Sequence, residues 1–398
     1  MAHLLRWNAQ ALAAAYFQYA SLGLRRTALH LGLFEQPGDW SFALGERVSV
    51  AAGTMEATLQ DSRVVTQKND LLLDVRDLKV EFPTLRGTIH ALQGVTFRLH
   101  RRETLGLAGE TGCGKSVTAL AVLRLISPPG RISGGRILFE GQDLLAASEA
   151  EMRALRGSQI SMILQEPKMS LNPVIRVGEQ VAETLLVHDR TLSRRVARER
   201  AVEMLASLGI PDPLRVARRY PHELSGGMAQ RVMIAMMLVT RPKLLIADEP
   251  TSALDVTIQA QILELMKALK REINTAVLLI THDLGVMAET CDRVAVMYAG
   301  SVVEQGPVAR VLKHPQHPYT QGLLKTIPND VAADVPLFSI RGQVPSLLRP
   351  PIGCAFAPRC DRAMPECDRA APPLYAVGAD HHAACFLHRG TAEQTMDH

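Results

Sequence analysis

From Leu71 onward the chain alternates short apolar runs with longer amphipathic ones. Leu71–Val75, Leu78–Phe82 and Ala91–Leu99 read as strands, and Gly134–Gly141 reads as a further hairpin arm. Glu103–Ala108, Ile160–Leu164, Lys243–Ala247 and Ala276–Ile280 are nearly continuous apolar stretches, as expected of parallel strands buried on both faces. Between them the period changes. Val117–Ile126, the stretch from Glu149, the charged region from about Val177 to Leu238, and the segment placing Ile258, Ile262, Leu265, Met266 and Leu269 on one face all predict helices. Strands alternating with helices predict an α/β fold.

Residues 1–70 lack this pattern and read as an extension, with Met55 as an alternative start of synthesis. Within it, Trp7–Leu24 repeats Leu12, Tyr16, Tyr19 and Leu22 at amphipathic spacing, which favours a docking or loosely ordered helix over a membrane-surface anchor. No stretch reaches the roughly 20 strongly apolar residues of a membrane helix. Hydrophobic residues at 47% and charged residues at 21% are those of a globular protein. Lys and Arg number 44 against 40 Asp and Glu, a net charge of +4, too balanced to argue for a nucleic-acid partner and no bar to a membrane-bound one.

The chemistry starts at Gly109-Glu110-Thr111-Gly112-Cys113-Gly114-Lys115-Ser116, which fits G-x-x-x-x-G-K-[ST] at every fixed place. It stands between a buried strand and a helix that continues with Val117. Its glycines let backbone N–H groups turn toward ATP phosphates, Lys115 would reach the β- and γ-phosphates, and the Ser116 hydroxyl would ligate Mg²⁺. Lys243–Ala247 ends in Asp248-Glu249-Pro250, where an α/β sheet places its ligands. Asp248 is expected to hold Mg²⁺ and Glu249 to act as general base toward the hydrolytic water. Gln165 ends one apolar strand and His282 follows another, so both are candidates at the γ-phosphate, Gln165 with a share in the Mg²⁺ or the water. Phe82 is a candidate to stack on adenine, either role being equal to plain strand filling, with His90 in competition. Leu224-Ser225-Gly226-Gly227-Met228-Ala229-Gln230-Arg231 bares backbone N–H groups at a helix start capped by Ser225, a second anion site.

Taken in this order, with Ser252-Ala253-Leu254-Asp255 after the acids, residues 71–325 closely resemble the ATPase subunit of an ATP-binding-cassette (ABC) transporter. The resemblance implies a P-loop NTPase-type domain with an antiparallel β subdomain and an inserted helical subdomain at about 166–240. It implies a nucleotide-sandwich dimer, in which Leu224, Ser225, Gly226, Gly227, Met228 and Gln230 of one subunit close on the ATP of the other. Ser252–Asp255 would form the loop at the dimer contact. A narrower resemblance, to the oligopeptide and dipeptide import subfamily, rests on Gln165-Glu166-Pro167 with Ser170-Leu171-Asn172-Pro173, on His317-Pro318-Tyr319-Thr320, and on Gly353-Cys354, Phe356 and Pro358-Arg359-Cys360. It implies a carboxy-terminal domain over 326–398, a second and different ATPase subunit, two permease subunits, an extracytoplasmic peptide-binding protein, and a peripheral place on the cytoplasmic face of the bacterial inner membrane.

Cys354, Cys360, Cys367 and Cys385 are spaced C-x₅-C-x₆-C-x₁₇-C in a Pro-rich stretch. Four thiolates converging there would make a closed site for a [4Fe–4S] cluster or Zn²⁺, and the lack of short C-x₂-C knuckles tilts the choice toward iron–sulfur. His381 and His382 are substitute ligands, and four unligated thiols are the alternative. Two other functions stand beside the peptide importer. One is an importer for nickel or another small solute, whose motifs would be the same. The other is a soluble cassette ATPase of DNA repair or translation, which the lack of a heptad run or second phosphate loop disfavours.

Overall fold

The computed structural model describes residues 70–164, 170–251, 256–326 and 338–390. The amphipathic stretch expected at Trp7–Leu24 and the rest of the extension through residue 69 lie outside them. Strands β1 (Leu71–Thr84) and β2 (Gly87–His100) form an antiparallel hairpin. The expected strands Leu71–Val75 and Leu78–Phe82 are therefore one strand. A bulge divides it, with Asp77 at φ 46° and its N–H donated to Thr96 Oγ1 at 2.9 Å.

β3 (Thr104–Ala108) enters the phosphate loop, followed by α1 (Lys115–Val122). The expected helix to Ile126 stops earlier, because Arg124 turns left-handed at φ 52° and its guanidinium donates to the carbonyls of Leu144 and Ala147. β4 (Arg131–Phe139) pairs along the other edge of β1, and β5 (Gln142–Asp143) completes a four-stranded sheet of order β2-β1-β4-β5. After α2 (Glu149–Leu155) and β6 (Ile160–Ile163) comes the helical region: α3 (Val177–His188), α4 (Arg194–Ser207), the single turn α5 (Pro213–Val216) and α6 (Gly226–Leu238). The arginine-rich start of α4 is a solvated face, while Ala197, Ala201 and Leu205 turn inward.

The chain then alternates β7 (Leu244–Asp248), α7 (Val256–Ile273), β8 (Ala276–Ile280), α8 (Leu284–Thr290), β9 (Arg293–Tyr298) and β10 (Ser301–Pro307). Helices α9 (Val308–Lys313) and α10 (Pro318–Lys325) precede two short strands, β11 (Tyr375–Gly378) and β12 (His381–Ala383). The second sheet has the order β11-β12-β10-β9-β3-β8-β7-β6, parallel from β9 to β6. Successive residues of its central strands serve different cores. Leu244, Ile246, Leu278 and Ile280 face the β1–β4 side, while Leu245, Ala247, Val277 and Leu279 face the helical side, which is why these runs are apolar throughout.

The extension after residue 326 is stitched to this sheet, since β12 pairs with β10 through Glu304 and Gln305. The fully buried Glu304 carboxylate accepts the N–H groups of Gln316 and His317, at 2.7 and 2.9 Å, and contacts His381 Nε2 at 2.8 Å. His317 caps α10 by accepting the Tyr319 N–H on Nδ1 at 3.0 Å. Burial pushes its pKa down to about 4, with Glu304 opposing and His388 assisting. A depressed imidazole stabilises the fold fully above its ordinary value near 6.5 and loses that contribution as pH falls toward 4. We expect wild-type stability to drop across this window by on the order of 3 kcal/mol more than that of His317→Asn, which keeps a capping acceptor but does not titrate. Thermal midpoints measured from pH 7 to 4 check this, and parallel curves for the two proteins would refute it.

Candidate functional site

The phosphate loop leaves β3 with Gly109, Gly112 and Gly114 at φ 142°, 84° and 107°, all left-handed. Gly109 has no room for a side chain, since a Cβ there would overlap the Met297 carbonyl oxygen and stand 2.8 Å from Cys113 Sγ. Gly114 serves as the N-cap of α1, so the loop N–H groups and the helix start face the same space. The Lys115 ammonium is almost fully buried and donates to the carbonyls of Gly109 at 2.8 Å and Glu110 at 3.1 Å. Thr111 and Gly112 are exposed at the mouth of the loop, with Val117 behind them on α1. Cys113 is buried, and its thiol is pushed up by burial against the opposing pull of Lys115, so this position contributes its backbone rather than a thiolate.

Parallel pairing of β7 with β8, and of β8 with β3, brings Asp248 and Glu249 to the loop's edge of the sheet. Ser116 is hydrogen-bonded to the Asp248 carboxylate. Burial, with the nearby Glu249 charge adding to it, pushes Asp248 up to about 6, against the pull of Ser116 and Lys115. A cation between Ser116 and Asp248 would offset that cost, so this pair has the chemistry of an Mg²⁺ site. Glu249 is held at φ 46°, its N–H donated to the Ile280 carbonyl at 2.8 Å. Its Oε1 lies 3.2 Å from His282 Nδ1, and His282 is largely exposed. A non-glycine residue held left-handed here marks a position over-determined by its surroundings. Gln165 and the stretch Ser252–Asp255 lie outside the described residues.

Phe82 is half-buried at the end of β1, its ring against Gly130, which has no Cβ to obstruct it. His90 is 3.4 Å from Glu81 and so is engaged along the hairpin. Ser225 caps α6 and accepts the Met228 N–H at 3.3 Å. A Cβ on Gly226 would meet nothing within 4 Å, so the backbone there is open to a large ligand. Leu224 and Gln230, counted in the sequence among contacts to a second subunit's nucleotide, instead face inward. Leu224 is 6% exposed and Gln230 1%, its amide donating to the Pro250 carbonyl, which ties the helix start to the Asp248-Glu249 turn. Ser225 and Gly226 are exposed, and Gly227 and Met228 are partly so.

In the extension, Cys354, Cys360, Cys367 and Cys385 line one small enclosed cavity together with His317 and Phe356. Burial pushes the thiols of Cys354, Cys360 and Cys385 up. Among the described residues no group of three or more His, Cys, Asp or Glu stands positioned to hold a metal ion. The four cysteines share the lining of one cavity, but the ligand sphere expected of a metal centre is not formed there. The substitute ligands are corrected as well: His381 is committed to Glu304 and neither His381 nor His382 lines the cavity, whereas His317 does. A further contact went unread in the sequence. Arg359 of the extension forms a two-pronged ion pair with Glu110 of the phosphate loop, at 2.9 and 3.2 Å.

Residues 92–252 match the family described as ABC transporter, and residues 303–367 match the oligopeptide/dipeptide transporter C-terminal region. The chain is 51% identical to the oligopeptide transport ATP-binding protein OppD of Bacillus subtilis (strain 168), over 79% of its own length and 88% of that protein's. It is 50% identical to OppD of Escherichia coli (strain K12), over 80% and 94% of the two lengths. It is also 48% identical to the dipeptide transport ATP-binding protein DppD of B. subtilis (strain 168), over 82% and 97%. Among solved structures, the ATP-binding cassette MJ0796, described as a dimer in a post-hydrolysis state bound to ADP and Pi, superposes with a TM-score of 0.54. It is 26% identical and covers 60% of this chain and 99% of its own.

Proposed function

This chain belongs to the ATP-binding subunits of oligopeptide and dipeptide ABC transporters, and from that premise we propose that Lys115, Ser116, Asp248, Glu249 and His282 form its ATP-hydrolysing half-site. It is an ATPase subunit of a peptide importer. The observation that supports the residue roles is the meeting of Ser116 with Asp248, and of Glu249 with His282, at the edge of the sheet from which the phosphate loop springs.

In this reading the loop N–H groups and Lys115 cradle the β- and γ-phosphates of ATP. Mg²⁺ held by Ser116 and Asp248, with Gln165 as a further ligand, would supply charge neutralisation on the phosphate oxygens. A water oxygen attacks the γ-phosphorus while the bond to the bridging β-oxygen breaks, ADP leaves with the electron pair, and Glu249 takes the proton from the water. His282 orients Glu249 and contacts the γ-phosphate. Phe82 takes the adenine face. Ser225, Gly226 and Gly227 close on the ATP of a second ATPase subunit, with Ser252–Asp255 at that contact, and closure drives two permease subunits fed by a peptide-binding protein. The place of work is the cytoplasmic face of the inner membrane, reached through the permeases. Among the described residues no helix is long and apolar enough to cross a membrane.

For the cysteine-lined cavity we propose a four-thiolate group, iron–sulfur before zinc, held by Cys354, Cys360, Cys367 and Cys385; the convergence of all four on one cavity supports it. A single preparation tests both proposals. The chain is affinity-purified from detergent-solubilised membranes without oxygen, partners are identified by mass spectrometry, and iron and zinc are measured. Two permeases and a second, different cassette subunit are expected, with iron bound. Soluble ribosome- or DNA-associated partners alone would overturn the assembly, and a colourless protein free of iron and zinc would overturn the metal group.

A further inference from the structure

Glu110 of the phosphate loop is held at its carbonyl, at its N–H and at its carboxylate. Its carbonyl accepts from Lys115 Nζ, its N–H donates to the Tyr319 hydroxyl at 2.9 Å, and its carboxylate receives the fork of Arg359. Tyr319 belongs to α10, and Arg359 ends a single 3₁₀ turn, Ala357–Arg359, next to Cys360. The Glu110 carbonyl also accepts the Cys113 N–H at 3.2 Å, so the holds of Tyr319 and Arg359 are the two that come from outside the nucleotide motif. Arg359 is itself fixed. Its side chain is 5% exposed, Nε donates to the Arg341 carbonyl at 2.9 Å, Nη1 reaches the Tyr298 hydroxyl at 3.3 Å, and the guanidinium lies against the rings of Tyr298 and Phe356. Those rings pack on Tyr319, so Phe356 of the extension joins Tyr298 of β9 and Tyr319 of α10 in one aromatic block beside the loop.

We propose that Arg359 is a positioning residue for the phosphate loop, fixing the Glu110 peptide so that Lys115 and the loop N–H groups are set for ATP. This rests on the reading of the loop as the ATP site and adds that the cysteine-bearing extension tunes its affinity. The pair is suited to that task. A half-buried, two-pronged Arg–carboxylate contact has directional stiffness that a fully exposed pair lacks. Glu110 is partly exposed and can rehydrate when its partner is cut, so the loss appears as loosened geometry in the loop.

The test titrates the full-length protein with a fluorescent ATP analogue and measures single-turnover hydrolysis at saturating ATP. Arg359→Ala should raise the nucleotide Kd about tenfold, the scale of one charge-assisted hydrogen bond, and change the saturated rate less than about twofold. Arg359→Lys, a point charge without the fork, should recover part of the loss. Glu110→Gln leaves the extension intact and should weaken ATP similarly, and combining it with Arg359→Ala should add little further. A folded Arg359→Ala protein with wild-type Kd overturns the proposal. If that variant does not fold, wild-type Kd in Glu110→Gln overturns it instead. Lys115→Ala separates the two layers of the argument: retained ATP binding there would overturn the loop assignment itself, whereas its loss beside an unaffected Arg359→Ala overturns only the positioning role.

Discussion

Replacing Glu249 by Gln is expected to lower ATP turnover by roughly 10²–10⁴-fold while ATP binding stays within about twofold of wild type. The amide has the size of the carboxylate and can still face His282 Nδ1, 3.2 Å away, but it cannot accept a proton from water. In the proposed site the phosphate contacts come from the loop and Lys115, which the substitution does not touch. Even the lower figure corresponds to about 2.7 kcal/mol in the barrier, well above what loss of a neutral hydrogen bond would produce. Turnover and nucleotide affinity measured on one preparation decide the matter. Undiminished turnover would remove Glu249 as the base, and turnover and binding lost together would make its role structural. The left-handed backbone at Glu249 sharpens the expectation, because the side chain is aimed by a φ of 46° and by the bond of its N–H to Ile280, both of which the amide preserves.

The motifs assigned to the half-site were legible because each is local in the chain. Glycines at fixed intervals, then Lys115 and Ser116, carry their geometry with them, and an apolar strand ending in Asp248-Glu249 names its own edge of the sheet. What escaped depends on separation or on a turn of the helix. Arg359 and Glu110 are 249 positions apart, and nothing in the composition of either segment pairs them. Gln230 and Ser225 stand in one short string, yet the helix that Ser225 starts rotates Gln230 into the interior. His381 and His382 sit closer in sequence to the cysteines than His317 does, but β12 is drawn to β10 by Glu304, and the imidazole at the cavity comes from the cap of α10. The bulge at Asp77 escaped for another reason. Two polar residues between apolar runs look like a break, and only the partner strand, with Thr96 supplying the hydrogen bond, makes them continuous.

Gly109→Ala is the second large effect, expected to abolish measurable ATP binding, whereas Gly112→Ala at the same loop should only weaken it. The two differ in what surrounds them. At Gly112 a Cβ would meet nothing within 4 Å, so the cost is that of an L-residue at φ 84°, about 1–2 kcal/mol. At Gly109 the Cβ would overlap the Met297 carbonyl, with Cys113 Sγ at 2.8 Å on another side, in addition to a φ of 142°. One of the two backbones must yield. Met297 lies in β9, which is paired to β3 on one side and β10 on the other, and its side chain is fully buried. The loop, bounded by turns, is the softer partner, so the displacement falls on the N–H groups that would face the phosphates. A shift of that size in a charge-binding cradle costs well over the ~2.7 kcal/mol that separates a hundredfold change in affinity. Titration of both variants with a fluorescent ATP analogue, alongside their thermal midpoints, measures the contrast. Wild-type affinity in Gly109→Ala would mean that β9 gives way instead, and that the loop is stiffer than the strand it leans on.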